Sequence, residues 1–475
     1  MPIDNDHELA YAPVSHLRKL IDDRQVSVPE LTEMFLRRIE AHNPKLNAYL
    51  TVTGDLAMRS AEEAQRELDQ GRHRGVLHGI PISIKDLETT RDVTSTMGSL
   101  VFREHVPGED SVAVERVKEA GAIILGKTNT PEFGMSGTTE NRLGDHCRNP
   151  WNLERTAGGS SGGAGAALAA GLCAVATGSD GGGSIRIPCS FTGTFGIKPT
   201  QGRVPRYGGV GKPSFNTHSQ SGPMTRTVLE SAQLLQILAG HDSRDPGCMR
   251  EEPPDFVGGL NDGVRRLKVA WSPDFGYAPV DEEVLAAASK AAKVFEELGC
   301  IVDEPGLVLD DPFPAFWDMF SVAGATSYGH LLDDHRGELS HYAVKTIEHG
   351  LGRTSSDYSR ALQRMVQLVS QMEDFFGEFD LLLSPTMAVP AFPVEEHPTV
   401  IAGREVDPWW GYIPFTFPIN MTGQTAASIP CGFSSDGLPI GLHIVGKRGG
   451  EAKVLRACAA FESARPWADR RPPGF

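Results

Sequence analysis

Two glycine- and serine-rich runs stand out from the rest of the chain: Gly158-Gly159-Ser160-Ser161-Gly162-Gly163 and Gly178-Ser179-Asp180-Gly181-Gly182-Gly183-Ser184-Ile185-Arg186. Glycine is costly to order and adds nothing to a core. Runs of it beside serines point to backbone that approaches a ligand closely or aims N–H groups at developing negative charge. Upstream, Gly79-Ile80-Pro81-Ile82-Ser83-Ile84-Lys85-Asp86 ends an apolar run on a lysine. A buried lysine loses its proton and serves as a base, and a serine hydroxyl is a weak nucleophile until a base takes its proton. These segments are therefore the parts of a serine nucleophile activated by something other than histidine. Ser184 reads as the nucleophile, with Gly181, Gly182 and Gly183 before it as oxyanion donors. Asp180 and Arg186 flank it as braces of the loop, and Ser161 and Ser179 orient the two loops. Plainer readings exist: a Gly-Gly-Gly-Ser run also suits a flexible turn, and Lys85 also reads as a strand-end lysine paired with Asp86. Lys85 and the Ser160 loop together favour the catalytic one.

The same residues resemble the amidase signature family. Its glycine- and serine-rich hallmark reads much like residues 158–200, preceded by an element like residues 79–86. The likeness continues through Gly126-Lys127-Thr128-Asn129-Thr130-Pro131-Glu132-Phe133, Asn149-Pro150-Trp151-Asn152 and Gly196-Ile197-Lys198-Pro199-Thr200. It returns in Leu383-Ser384-Pro385-Thr386, Asn420-Met421-Thr422-Gly423 and Gly437-Leu438-Pro439-Ile440-Gly441-Leu442, and is weakest over residues 240–380. The resemblance implies a relay in which Ser184 gives its proton to Ser160, and Ser160 gives one to neutral Lys85. It also implies a cis peptide bond at Ser160, and a substrate entrance lined at Thr130, Met135 and Ser136. It implies amide hydrolysis with no cofactor. Family relatives also cleave esters and carbamates of aromatic amines, so those carbonyls stay open.

Composition sets the frame for these parts. A chain of 475 residues, 40% hydrophobic and 22% charged, has the makeup of a globular protein with a large core. A net charge of −16 and the lack of any basic stripe argue against a nucleic-acid partner. The polar, acidic start Met1-Pro2-Ile3-Asp4-Asn5-Asp6 does not read as a targeting peptide. The most apolar long run, residues 164–176, is too short and glycine-rich to span a membrane. Seven scattered cysteines without a Cys-x-x-Cys pair read as reduced thiols of a cytoplasmic protein. The fifteen histidines show no ligand spacing, so no metal is expected. The expected partner is a small amide or carbamate substrate, with the protein a monomer or homodimer.

The elements that must position the site follow from periodicity. Ser27-Val28-Pro29-Glu30 is a capping box before an apolar helical stripe that stops near Asn43-Pro44. Residues 55–70 and 111–120 read as helices, and residues 80–85 and 122–125 as strands. Residues 164–170 form a helix whose N-terminus faces the Ser160 loop, and residues 174–177 a short strand entering the second glycine cluster. Residues 281–298 and 355–376 read as long helices. Short strands alternating with helices imply an α/β fold, a single large domain with a central twisted mixed sheet covered by helices on both faces. Within it we expect a signature core over residues 75–225, a variable helical substrate-side portion over 240–380 and a return to the core over 380–465.

Three patterns are decoys. Residues 121–128 satisfy the P-loop spacing, but the middle residues Ala122-Ile123-Ile124-Leu125 belong in a buried strand. Gly158-Gly159-Ser160-Ser161-Gly162 satisfies the nucleophile-elbow pattern, yet Asn152-Leu153-Glu154-Arg155-Thr156 ahead of it is polar and not strand-like. No lysine has a serine three residues before it, which removes the Ser-x-x-Lys arrangement. Cys189 reads as small core filler.

Phe313, Phe316, Trp317, Met319 and Phe320, with Trp409, Trp410, Tyr412, Phe415 and Phe417, make either an aromatic acyl or amine pocket or ordinary core. If several line the site, aryl or hydrophobic amides fit better than free glutamine. Two alternatives stay open. One is a glutamine-hydrolysing subunit of a tRNA-dependent amidotransferase, from whose usual sequence Ser214-Phe215-Asn216-Thr217-His218-Ser219-Gln220 and residues 87–99 depart. The other is a non-catalytic binding protein on the same scaffold.

Overall fold

All five residues of Pro81-Ile82-Ser83-Ile84-Lys85 are buried, and a strand with no exposed face needs a covering layer on each side. The computed structural model, which describes residues 6–208 and 218–475, supplies both layers. The strands in chain order are β1 (Tyr49–Val52), β2 (Pro81–Lys85), β3 (Ile123–Thr128), β4 (Arg148–Asn149), β5 (Asn152–Thr156), β6 (Val175–Asp180), β7 (Phe195–Lys198) and β8 (Gln220–Thr225). They continue as β9 (Lys268–Trp271), β10 (Ile301–Asp303), β11 (Leu381–Pro385), β12 (Val400–Ile401), β13 (Arg404–Glu405), β14 (Ala426–Phe433) and β15 (Pro439–Gly446). Eleven of them form one sheet in the order β1-β3-β2-β6-β8-β7-β14-β15-β11-β9-β10. Pairing is parallel for β2 with β3 and β6, and for β9 with β10 and β11, and antiparallel elsewhere, so the sheet is mixed.

Neighbouring strand residues point to opposite faces, and the sheet accordingly divides two cores. Leu381 and Leu383 join one apolar cluster, while Leu382 between them joins the other. The first cluster is closed by the helices Val28–Leu46, Gly54–Asp69, Glu282–Glu297 and Glu451–Ala464. The second is closed by Phe313–Tyr328 and Ser355–Glu378. Local chemistry fixes several starts. Ser27 and Glu30 form a reciprocal capping box, Ser111 caps Val112–Glu119, and Asp281 caps Glu282–Glu297.

Three features differ from the sequence reading. The helix that follows the Ser27 cap does not stop at Pro44 but runs to Leu46 and ends on Asn47 in the left-handed region at φ 48°. Pro44 removes only its own N–H bond, to the carbonyl of the exposed Glu40, which water can serve. Residues 152–156, read as unlike a strand, form β5, paired antiparallel with β4 outside the main sheet. A two-stranded ribbon of this kind needs backbone partners more than apolar alternation, and Arg148 Nη1 and Asn149 Nδ2 add bonds to the Leu153 and Thr156 carbonyls. The segment 240–380 is not wholly helical, for it lends β9 and β10 to one end of the sheet. Residues 1–5 and 214–217, named in the sequence reading, lie outside the described residues.

Candidate active site

Lys85 ends β2 with its side chain fully buried. Its Nζ lies 2.7 Å from Ser160 Oγ and donates to Ser179 O at 3.2 Å. Its backbone N–H donates to Thr177 Oγ1 at 3.2 Å, so β6 holds both ends of the residue. Burial, helped by the charge of Arg206 and opposed by Asp180 and Glu88, pushes the Lys85 amine well below the ordinary lysine range. The plainer pairing of Lys85 with Asp86 does not form. Asp86 Oδ2 accepts the Thr96 N–H at 2.9 Å and the Thr96 hydroxyl, and Oδ1 faces Lys127 Nζ at 3.4 Å. Lys127, the lysine of the P-loop decoy, is spent internally on Glu88 O at 2.7 Å and Ser95 Oγ at 2.6 Å.

Ser160 stands between β5 and the helix Gly162–Ala169, on a cis peptide bond from Gly159. Glycine is required at 159, because a Cβ there would sit 2.7 Å from the Thr138 carbonyl carbon. Gly134, at φ 73°, brings backbone so close that an added Cβ would lie 3.3 Å from Ser160 Oγ. Ser161 donates its N–H to Ser184 O at 3.1 Å, which ties this loop to the second one. Ser161 Oγ donates to Ser179 O at 3.3 Å and accepts the Ser179 N–H at 3.4 Å. Thus Lys85 and Ser161 converge on one carbonyl.

The second loop leaves β6 at Asp180. Asp180 Oδ1 accepts the Gly183 N–H at 2.7 Å, and Oδ2 accepts the Ile185 N–H at 3.2 Å, so one carboxylate grips the backbone on both sides of Ser184. Arg186 holds that carboxylate in a fork, Nε to Oδ2 and Nη2 to Oδ1, both at 2.9 Å. Burial alone would raise the Asp180 carboxyl, but the Arg186 charge and bonds override it and hold the group well below the carboxylate range. Of the three glycines expected to donate to an oxyanion, Gly183 gives its N–H to Asp180 Oδ1 here. Among the described residues, no such bond takes the N–H of Gly181, Gly182 or Ser184. Ser184 is 9% exposed, against 2% for Ser160 and none for Lys85, so of the three groups it is the one a ligand meets.

Aromatic rings crowd this loop. A Cβ at Gly182 would lie 3.0 Å from Phe316 Cζ and 3.4 Å from Trp410 Cζ3, and one at Gly181 would lie 4.0 Å from Phe320. Phe316 stacks on Phe417 at 4.9 Å and meets Trp410 edge-on at 5.2 Å. The aromatic residues therefore divide: Phe316, Phe320 and Trp410 adjoin the loop, while Phe415 packs on Phe275 and Tyr412 is wholly buried core. Met135 and Ser136 line a recess with Phe313, Trp317 and Trp410. Ser136 Oγ is bonded to Thr138 Oγ1 at 3.0 Å, and Thr130 is buried, its hydroxyl donating to the Pro131 carbonyl at 3.3 Å.

Sequence reasoning gave no role to Thr416, Asn420 and His443. Thr416 Oγ1 donates to Gly182 O at 2.6 Å and fixes that peptide. Asn420 Nδ2 donates to Asp180 O and Oδ1, each at 2.9 Å, and Asn420 Oδ1 accepts from Arg186 Nη2 at 2.6 Å. His443 Nε2 lies 3.0 Å from Arg186 Nη1, and burial followed by the Arg186 charge keeps the imidazole well below its usual range, hence neutral. The one available signal was a polar Asn in the apolar run Phe417-Pro418-Ile419-Asn420-Met421. Cys189 is buried and its thiol is pushed up to about 12 by burial, which disfavours a thiolate. Among the described residues no group of three or more His, Cys, Asp or Glu has a metal-holding arrangement, and no helix is long and apolar enough to cross a membrane.

The chain as a whole is similar to known proteins in sequence and fold. The family model described as Amidase matches residues 30–455. An acylamidase of Rhodococcus erythropolis is 37% identical over 470 residues, covering 98% of each chain. A glutamyl-tRNA(Gln) amidotransferase subunit of Geobacter sp. (strain M21) is 36% identical over 488 residues, covering 97% of this chain and 98% of its own. The crystal structure of a bacterial aryl acylamidase superposes with a TM-score of 0.91 at 34% identity, covering 96% of this chain and 97% of that one.

Proposed function

The chain belongs to the amidase signature family, whose members hydrolyse amides, and on that premise we propose that it cleaves hydrophobic or aryl amides through an acyl-enzyme on Ser184. The observation that carries this reading is the 2.7 Å contact between Lys85 Nζ and Ser160 Oγ in a fully buried setting. A neutral amine there donates one N–H to the Ser179 carbonyl and keeps its lone pair for the Ser160 hydroxyl proton.

In this scheme Ser184 Oγ attacks the carbonyl carbon and its proton moves to Ser160 Oγ, whose own proton goes to Lys85 Nζ. The N–H groups of Gly181, Gly182 and Ser184 hold the oxyanion. When the C–N bond breaks, Ser160 protonates the departing amine and takes a proton back from Lys85. Water then attacks the ester on Ser184, and the same relay runs again to release the acid. Ser161 and Ser179 hold the two loops together. Asp180 and Arg186 are positioning residues, because they reach Ser184 only through backbone.

The rings of Phe316, Phe320 and Trp410 beside Gly181 and Gly182 support an apolar or aryl substrate group. The same chemistry serves carbamates and esters, and we extend the proposal to aryl carbamates. Similarity to the amidotransferase subunit favours glutamine hydrolysis as the second reading. Amine or ammonia release from a panel of acyl anilides, primary amides, aryl carbamates, esters and free glutamine separates the two. We expect anilides to lead, and Ser184→Ala to abolish release with the fold intact. Glutamine as the best substrate would favour the second reading, and substantial turnover by Ser184→Ala would remove Ser184 from its role.

A further inference from the structure

Two cavities meet at the same two side chains. The inner one, about 80 Å³, is walled by Met135, Phe313, Trp317 and Trp410, and Trp410 is the ring that lies against Gly182. The outer one, about 560 Å³, opens between Glu140, His146, His341 and Glu395. Tyr342 and Trp409 line both. Tyr342 is locked, since its hydroxyl donates to Glu140 O and accepts the Glu132 N–H, each at 2.7 Å. Trp409 is not. Its backbone N–H is pinned to Asp407 Oδ1 at 2.8 Å, beside that of Trp410 at 2.9 Å. Among the described residues its ring makes no hydrogen bond: it meets the rings of His397 at 4.2 Å, His341 at 5.0 Å and Tyr342 at 6.1 Å and packs at the edge of two apolar clusters. One wall fixed by hydrogen bonds and one half-buried ring held by packing alone therefore form the partition between the two cavities.

We propose that Trp409 is a gate in one continuous substrate channel, and that it sets how far the arm of an amide reaches past a single ring. With the ring in the position seen here, the inner recess ends at Trp409 and has room for roughly a few non-hydrogen atoms. Swung aside, the ring joins that recess to the outer groove. An extended arm, such as a second aryl ring or a long alkyl chain, then lies with its apolar part on Trp317 and Trp410. Its far end reaches the polar groups Glu140, His146 and Glu395. The substrate class implied is an amide or carbamate carrying a long amphiphilic arm. This rests on Ser184 being the nucleophile.

The test compares wild type, Trp409→Ala and Trp409→Phe on a short acyl anilide and on the same anilide extended by a second ring. The readout is the ratio of kcat/KM for extended over short, which cancels any general loss of folded enzyme. We expect Trp409→Ala to raise that ratio at least about tenfold and Trp409→Phe to fall between. In parallel, the rates of Ser184 labelling by a short-chain and a biphenyl-armed fluorophosphonate give the same ratio without any amide turnover. An unchanged ratio by both readouts overturns the gate. Intact labelling with no amine release from any anilide counts against the amide reading and leaves the labelling ratio to decide on the gate.

Discussion

Asp86 follows Lys85 in the chain yet turns away from it, facing Lys127 Nζ at 3.4 Å and accepting two bonds from Thr96. Consecutive strand residues point to opposite faces, so the carboxylate nearest in sequence is on the wrong side of the sheet to protonate or pair the amine. Lys85 is left with two uncharged direct partners, Ser160 Oγ and Ser179 O. An adjacent carboxylate would favour the ammonium form; neutral partners and burial favour the amine that a relay needs.

That arrangement fixes the pH dependence. The Lys85 pKa is lowered, so the neutral, competent form persists below the ordinary lysine range and is lost only as pH falls through the lowered value. Plots of log kcat/KM against pH for an uncharged anilide should have an acid limb, flat at alkaline pH and falling toward acid. Lys85→Met should lower kcat/KM by about three orders of magnitude or more, because a general base contributes roughly 10²–10⁴-fold and activates the nucleophile as well. A Lys85→Met enzyme that keeps the wild-type rate and acid limb would show that the base lies elsewhere.

The same residue taxes stability. A lysine whose folded pKa lies below its unfolded value binds more protons when unfolded, so stability rises with pH between the two values. Wild type therefore gains on Lys85→Met as pH climbs from neutral toward the ordinary lysine range, at a slope of at most about 1.4 kcal/mol per pH unit. Urea unfolding of both proteins at pH 7 and pH 9.5 reads this directly. A difference that stays constant, or widens in favour of Lys85→Met, contradicts a neutral buried amine.

Much of this site was legible because its parts are local. Ile80, Ile82 and Ile84 marked a buried strand running into Lys85, and Ser27 with Glu30 marked a helix start. What stayed hidden acts across the fold. Asn420 and His443 reach the Ser184 loop from 240 and 257 residues away, through contacts to Asp180 and Arg186, and no local pattern encodes such a meeting. Strand β5 was missed because its partner is a two-residue neighbour, so backbone pairing outweighs composition. Strands β9 and β10 are short, and their place is set by packing at the end of the sheet. Sequence shows an N–H but not its acceptor, so the bond from Gly183 to Asp180 was not legible. The family likeness supplied the relay through Ser160, which spacing alone did not give.

Asp180 offers a prediction on stability. Its carboxylate pairs a fully buried arginine, so Asp180→Asn leaves the Arg186 charge uncompensated and should cost about 3–5 kcal/mol. The Asp180 pKa is lowered, so its contribution is present above the ordinary carboxylate range and is lost as pH falls through the folded value. Urea unfolding at pH 7 should show the full loss. A change under about 1 kcal/mol would mean that the ion pair does not hold the loop.

The glycines of the second loop differ in what they tolerate, and this separates loop geometry from pocket shape. Gly183 has φ 135°, and a Cβ there would collide with Thr416 Oγ1, the group that fixes the Gly182 carbonyl. Gly183→Ala should therefore displace the neighbouring Gly182 and Ser184 donors and lower kcat by about 10²–10³-fold, the usual cost of a lost oxyanion donor. At Gly182 the added methyl meets only the edges of Phe316 and Trp410, at 3.0 and 3.4 Å, and these rings can shift by a few tenths of an ångström. Gly182→Ala should raise KM for aryl substrates more than it lowers kcat, because it intrudes on the aromatic wall while leaving the backbone donors in place. Steady-state kinetics of both variants on one anilide decides. Equal losses in kcat would mean that the aromatic rings are part of the loop's support rather than a wall for substrate.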